Sequence, residues 1–72
     1  MEINQRIKAE RIDHDISQKE IALKLKITQQ QYQLYESGKR QIPIKHIITL
    51  CLFYGVSADY ILGLPKGLSW PR

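Results

Sequence analysis

Four glutamines, Gln29, Gln30, Gln31 and Gln33, are followed by Leu34 and, a few residues on, by Lys39 and Arg40. A carboxamide both donates and accepts hydrogen bonds, so it matches adenine N6 and N7 in the major groove of duplex DNA, which is wide enough to admit one helix. Glutamine is also a good helix former that fills solvated faces, so the amides alone leave both readings open. Cations just past a helix end suit its C-terminal dipole and equally suit a phosphate backbone.

The rest of the chain offers little other chemistry. It contains no paired carboxylates, no Ser/His/Asp or Cys/His arrangement and no glycine-rich phosphate loop, so catalysis has no groups to use and an enzyme is not expected. The single cysteine, Cys51, excludes an internal disulfide and sits in an apolar helical run, as a small core residue would. Neither His14 nor His46 has another histidine or cysteine at helical spacing, so no metal site is expected, and neither a cofactor nor a small-molecule ligand is implied. With 72 residues, a net charge of +4 and a pI near 9.4, this is one small domain suited to a polyanion or an acidic protein surface. Its core should support a stability of roughly 3–5 kcal/mol. No apolar run approaches a membrane span and the N-terminus is unlike a signal peptide, so a reducing cytoplasm is the expected compartment.

The glutamines need a helix to carry them, and the sequence supplies its ends. Thr28 is an N-cap and Gly38 a C-terminal stop, and between them Tyr32, Tyr35 and Glu36 share one side while Gln30, Gln33 and Leu34 share the other. Just before it, Ser17 with Glu20 forms a capping box ahead of Ile21, Ala22 and Leu25, with Ile16 as half of a hydrophobic staple. Lys26 and Ile27 carry the turn. An earlier amphipathic helix over Ile3 to Ile12 is broken by Asp13-His14-Asp15. Pro43 suits the first turn of a fourth helix from about Ile44 to Tyr54. There Ile44, Ile47, Ile48, Leu50, Cys51 and Tyr54, widened by Leu52 and Phe53, predict a nearly all-buried helix at the centre of the core. Gly55 stops it, Val56 packs beneath it, and Ser57 caps a short fifth helix that exits at Gly63. The domain is expected to span residues 1–64, with residues 65–72 an extended tail carrying two prolines and a glycine. Trp70 in that tail docks on its own domain, packs in a dimer contact or stays solvated.

Taken together, Ser17-Gln18-Lys-Glu-Ile21-Ala22, Ile27-Thr28, Tyr35-Glu36-Ser-Gly38-Lys39-Arg40-Gln-Ile42-Pro43 and Val56-Ser57-Ala-Asp59-Tyr60-Ile61-Leu62-Gly63 resemble the Cro/phage-repressor-like (XRE) helix-turn-helix family over about residues 3 to 64. The resemblance implies an all-α, five-helix, lambda-repressor-like domain in which helices 2 and 3 form the helix-turn-helix. It implies that Gln29, Gln30, Gln31, Gln33 and Leu34 read bases, with Gln29 and Gln30 foremost at the helix N-terminus. Leu34 either touches a thymine methyl or is half covered by Lys39 or Arg40. Phosphates would be met by Ser17, Gln18, Ser37, Lys39 and Arg40, and Glu36 would turn inward to pair with Arg11. Ala22 would let helices 2 and 3 cross closely. Two departures bear on the turns: Lys26 and Asp15 stand where the family usually has glycine, which strains the backbone locally.

The function these residues imply is sequence-specific binding of double-stranded DNA by a homodimer, as a transcriptional repressor on an inverted repeat. Tyr60, Ile61, Leu64, Leu68 and Trp70 are the interface candidates. The alternative is an antitoxin- or anti-repressor-like module that uses the same fold to bind a protein.

Overall fold

A computed structural model of the chain describes residues 2–63. Within them lie five helices: α1 (Ile3–Asp13), α2 (Gln18–Leu25), α3 (Gln29–Glu36), α4 (Ile44–Tyr54) and α5 (Ala58–Leu62). The expected tail, with Leu68 and Trp70, and Leu64 just before it lie outside the described residues. No helix among those described is long and apolar enough to cross a membrane.

Local chemistry sets the boundaries. The hydroxyls of Ser17, Thr28 and Ser57 accept the backbone N–H of Glu20, Gln31 and Tyr60 at 3.1, 3.1 and 3.2 Å, each satisfying an amide that its helix leaves without a partner. A capping box also opens α1, where the Glu2 N–H donates to Gln5 Oε1 at 2.8 Å. Pairwise packing joins α2 to α3, α1 to α3 and α5, and α4 to α5. The shared core holds Ile7, Ile21, Ala22, Leu25, Tyr32, Tyr35, Ile42, Ile47, Leu50, Tyr54 and Ile61. Ile3, Ile16, Ile27, Cys51 and Val56 lean against it, only partly buried.

Two expectations about burial require correction. Ile12 is exposed, because at about 100° per residue it lies nearly half a turn round α1 from the buried Ile7. The fourth helix is not buried all round. His46, Ile47, Leu50 and Tyr54 face inward, while Ile44, Ile48 and Leu52 are exposed. A domain of this size has too few layers to cover both sides of a helix, and a helix apolar on two sides gives no periodic sign of which one is inward.

The non-glycine turns take the backbone form that the resemblance implies. Lys26 has φ 59° and ψ 41°, and Asp15 has φ 55°. Both sit in the left-handed region, where a side chain costs roughly 1 kcal/mol or more. At Lys26 the backbone N–H bonds back to the Leu23 carbonyl at 3.2 Å and Ile27 N–H to Ala22 at 3.0 Å, which closes α2 before α3 begins. Lys26→Gly is therefore expected to stabilise the domain by about 0.5–1 kcal/mol, read as a higher urea midpoint with unchanged slope. A lower midpoint would show that the turn is not strained.

Candidate nucleic-acid interface

The outward side of α3 is built from both ends. Thr28 starts the helix and aligns its first turn, and Tyr32, Tyr35 and Glu36 anchor the opposite side in the core. Gln29, Gln30 and Gln33 are thereby held in solvent, Leu34 is half-buried beside them, and Gln31 is half-buried at the flank. Gln18, Gln29, Gln30, Gln33 and Leu34 line one shallow groove of about 430 Å³, so the first residue of α2 joins the amides of α3 on one surface. Among the described residues, the side chains of Gln29, Gln30 and Gln33 make no hydrogen bond to the rest of the fold. Their donors and acceptors are open.

Beneath that surface is a polar cluster. Arg11 Nε donates to Glu36 Oε2 at 2.6 Å and Arg11 Nη2 to Glu36 Oε1 at 3.1 Å, a two-bond fork between α1 and α3. Arg11 Nη1 donates to the Ile16 carbonyl at 2.8 Å, so the same guanidinium also fixes the loop entering α2. Gln18 Nε2 donates to Glu36 Oε1 at 3.1 Å and brings in α2 itself. One carboxylate thus ties α1 and α2 to α3, the last two being the helices that carry the groove. Hydrogen bonding to Glu36 holds the Arg11 guanidinium above its ordinary pKa. The Tyr32 hydroxyl is buried near this carboxylate without completing a hydrogen bond, and burial together with that charge pushes its pKa up.

The other sequence-named residues fall as follows. Ser17 and Ser37 have their hydroxyls engaged as caps: Ser37 Oγ donates to the Leu34 carbonyl at 3.1 Å and accepts the Lys39 N–H at 3.5 Å. Gln18 has one amide hydrogen on Glu36, which leaves its second N–H and its carbonyl oxygen for an outside partner. Lys39 and Arg40 are exposed past the end of α3. Of the dimer candidates within the described residues, Tyr60 is exposed and stacks with Arg6, whose guanidinium carbon lies 5.5 Å from its ring centre. Ile61 is fully buried in the core and so offers no surface to a second copy, because α5 must turn one side inward to pack on α1 and α4.

Asn4 was not singled out by the sequence. Its Nδ2 donates to the Glu36 carbonyl at 3.2 Å and lies 3.2 Å from where a Cβ on Gly38 would sit, so it secures the C-terminal end of α3. Gly38 itself has φ 80°, and any side chain there would be strained and would crowd Asn4. No local signal announces Asn4, since its partner is far away in sequence. The Glu2/Gln5 box does have one, the spacing of a capping box, but with glutamate in place of the usual serine or threonine.

The sequence pattern of a helix-turn-helix family matches residues 7–61. In addition, the chain is 35% identical over 60 residues to an uncharacterized HTH-type transcriptional regulator, YobD, of Bacillus subtilis (strain 168). That similarity takes in 83% of this chain and 54% of the relative, so the matched part is about half the length of the curated protein.

Proposed function

Because the chain belongs to the Cro/C1-type helix-turn-helix family of DNA-binding transcription regulators, we propose that it binds duplex DNA sequence-specifically, as a homodimeric repressor on an inverted repeat. The observation that carries this reading is the open row of amides on α3, Gln29, Gln30 and Gln33, beside Leu34 and Gln18, with every residue behind it anchored. Such a surface fits the major groove, where each good bidentate amide contact contributes roughly 1–3 kcal/mol of discrimination between bases. Lys39 and Arg40 supply phosphate contacts at the far end of the helix.

A footprint of one short helix binds weakly, which is the physical reason for two copies on two half-sites about one helical turn apart. Repression then follows from occupying a site that polymerase needs. The test is selection of bound duplexes from a randomised library at a stated, near-physiological salt, followed by sequencing. An enriched inverted repeat is the expected result. Recovery of duplexes with no common sequence would overturn the reading, since a charge of +4 gives only salt-sensitive, sequence-independent binding.

A further inference from the structure

A second hollow, of about 430 Å³, lies where the turn after α2 meets the first half of α4. It shares no residue with the groove of Gln18, Gln29, Gln30, Gln33 and Leu34, and it sits at the other end of α2 from Gln18. Lys24, Lys26 and Lys45 line it, all of them exposed. Among the described residues no carboxylate lines it and none forms an ion pair with any of the three lysines. Like charges gathered round one hollow repel, and an anion between them relieves that. The first turn of α4 adds to the same sign, because its N-cap, Pro43, supplies no side-chain acceptor and leaves the positive end of an eleven-residue helix open.

His46 adds an unmet donor. It is only 8% exposed, with its ring centre 6.0 Å from that of Tyr35, yet among the described residues neither ring nitrogen has a hydrogen-bond partner. The buried side-chain atoms sealed in without a partner are the Tyr32 and Tyr54 hydroxyls, not these nitrogens, so the imidazole keeps a way out, and the hollow it lines supplies it. Burial, and then the charge of Lys45, hold its pKa below the ordinary value, so at neutral pH the ring is uncharged and carries one N–H. A buried donor left unmet is costly.

We propose that this hollow binds a phosphate group, held by the ammonium groups of Lys24, Lys26 and Lys45 and by the N–H of His46. Phosphate suits the set because it offers several acceptor oxygens to donors that converge from two helices and a turn, where the two oxygens of a carboxylate would leave some of them unmet. The Lys24 ammonium lies 5.1 Å from the ring centre of Phe53, a contact that restrains it. Lys26 is the telling member, since it holds φ 59° at a position where the family usually has glycine. Glycine would avoid the strain but would remove one of the cations, so the site depends on this chain's own departure from the family. Two sources carry the group, a small phosphorylated molecule and the backbone of duplex DNA, and the test separates them.

In heteronuclear NMR of the full chain, inorganic pyrophosphate should shift the ring signals of His46 and the backbone amide of Lys45, while sodium chloride of equal ionic strength should not. Lys26→Gly and Lys45→Ala should each weaken that binding roughly threefold. Lys8→Ala, an equal loss of charge on the exposed side of α1, should leave it unchanged. Lys26→Gly is decisive, because it is expected to raise the urea midpoint while lowering affinity, which damage to the fold would not do. If pyrophosphate gives no shift, the same three variants are compared on a mixed-sequence duplex over a salt series. A salt slope lowered by about 1 in Lys26→Gly and in Lys45→Ala, but not in Lys8→Ala, assigns the site to the DNA backbone. The inference is overturned if both variants behave as Lys8→Ala does, with pyrophosphate and on the duplex alike. None of these outcomes bears on how α3 reads bases, which the library selection decides separately.

Discussion

Glu36→Ala is expected to destabilise the domain by about 3–5 kcal/mol, because it leaves the guanidinium of Arg11 buried against α3 without its carboxylate. Against a stability of roughly 3–5 kcal/mol for a chain of this size, that loss brings the domain close to its unfolding midpoint at room temperature. Urea denaturation at neutral pH checks it, and a midpoint within experimental error of the parent would show that the cluster contributes nothing. Acid should act on the same group. Burial works to raise the pKa of Glu36, but the hydrogen bonds from Arg11 and Gln18, the nearby Tyr32 hydroxyl and the charge of Arg11 outweigh it, so the carboxyl titrates below its usual range. The unfolded chain therefore binds this proton more readily than the folded one. Stability from Glu36 is present in full above about pH 4.5 and is lost as the pH falls through the lower folded value. Glu36→Gln removes the titration while keeping an acceptor for Arg11, so its deficit relative to the parent should shrink in acid. A deficit that stays constant from about pH 6 to about pH 3 would contradict this account.

The second large effect concerns DNA. Gln30→Ala should weaken binding to a selected duplex by roughly tenfold to a hundredfold, corresponding to about 1–3 kcal/mol, and should relax preference at one base position. Lys39→Ala should instead weaken all duplexes about equally and lower the salt slope by about 1. Fluorescence anisotropy on the selected duplex and its single-base variants separates the two. If Gln30→Ala lowers affinity uniformly across those duplexes, Gln30 does not read a base. Neither change should affect the urea midpoint, since both side chains are exposed and unengaged.

The helix ends were the most legible feature of the sequence, because capping is a local matter: Ser17, Thr28 and Ser57 each announce a helix in the few residues that follow. That Tyr32, Tyr35 and Glu36 share one side was legible for a similar reason, from the helical period, while the inward turn of Glu36 was implied by the family resemblance. What was not legible depends on residues distant in sequence. Nothing near Gln18 says that its amide will bond a carboxylate on the next helix, and nothing near Asn4 points to the far end of α3. Exposure of Ile44, Ile48 and Leu52 was hidden because apolar residues surround α4, so the period carries no sign of its inward side. The pairing of Arg11 with Glu36 came only from family resemblance, and the structure supplies its physical basis in a two-bond fork.

The separation between the anchored and open sides of α3 has a consequence for how such a protein can change. Tyr32, Tyr35 and Glu36 hold the helix, while Gln29, Gln30 and Gln33 contribute nothing to holding it. On the proposed reading, a new helix-compatible side chain at any of those three positions would alter what is recognised while drawing little on the narrow margin that keeps the domain folded. Target preference would then drift by single steps through folded proteins, and one small scaffold would be reassigned to new sites by changes at three codons.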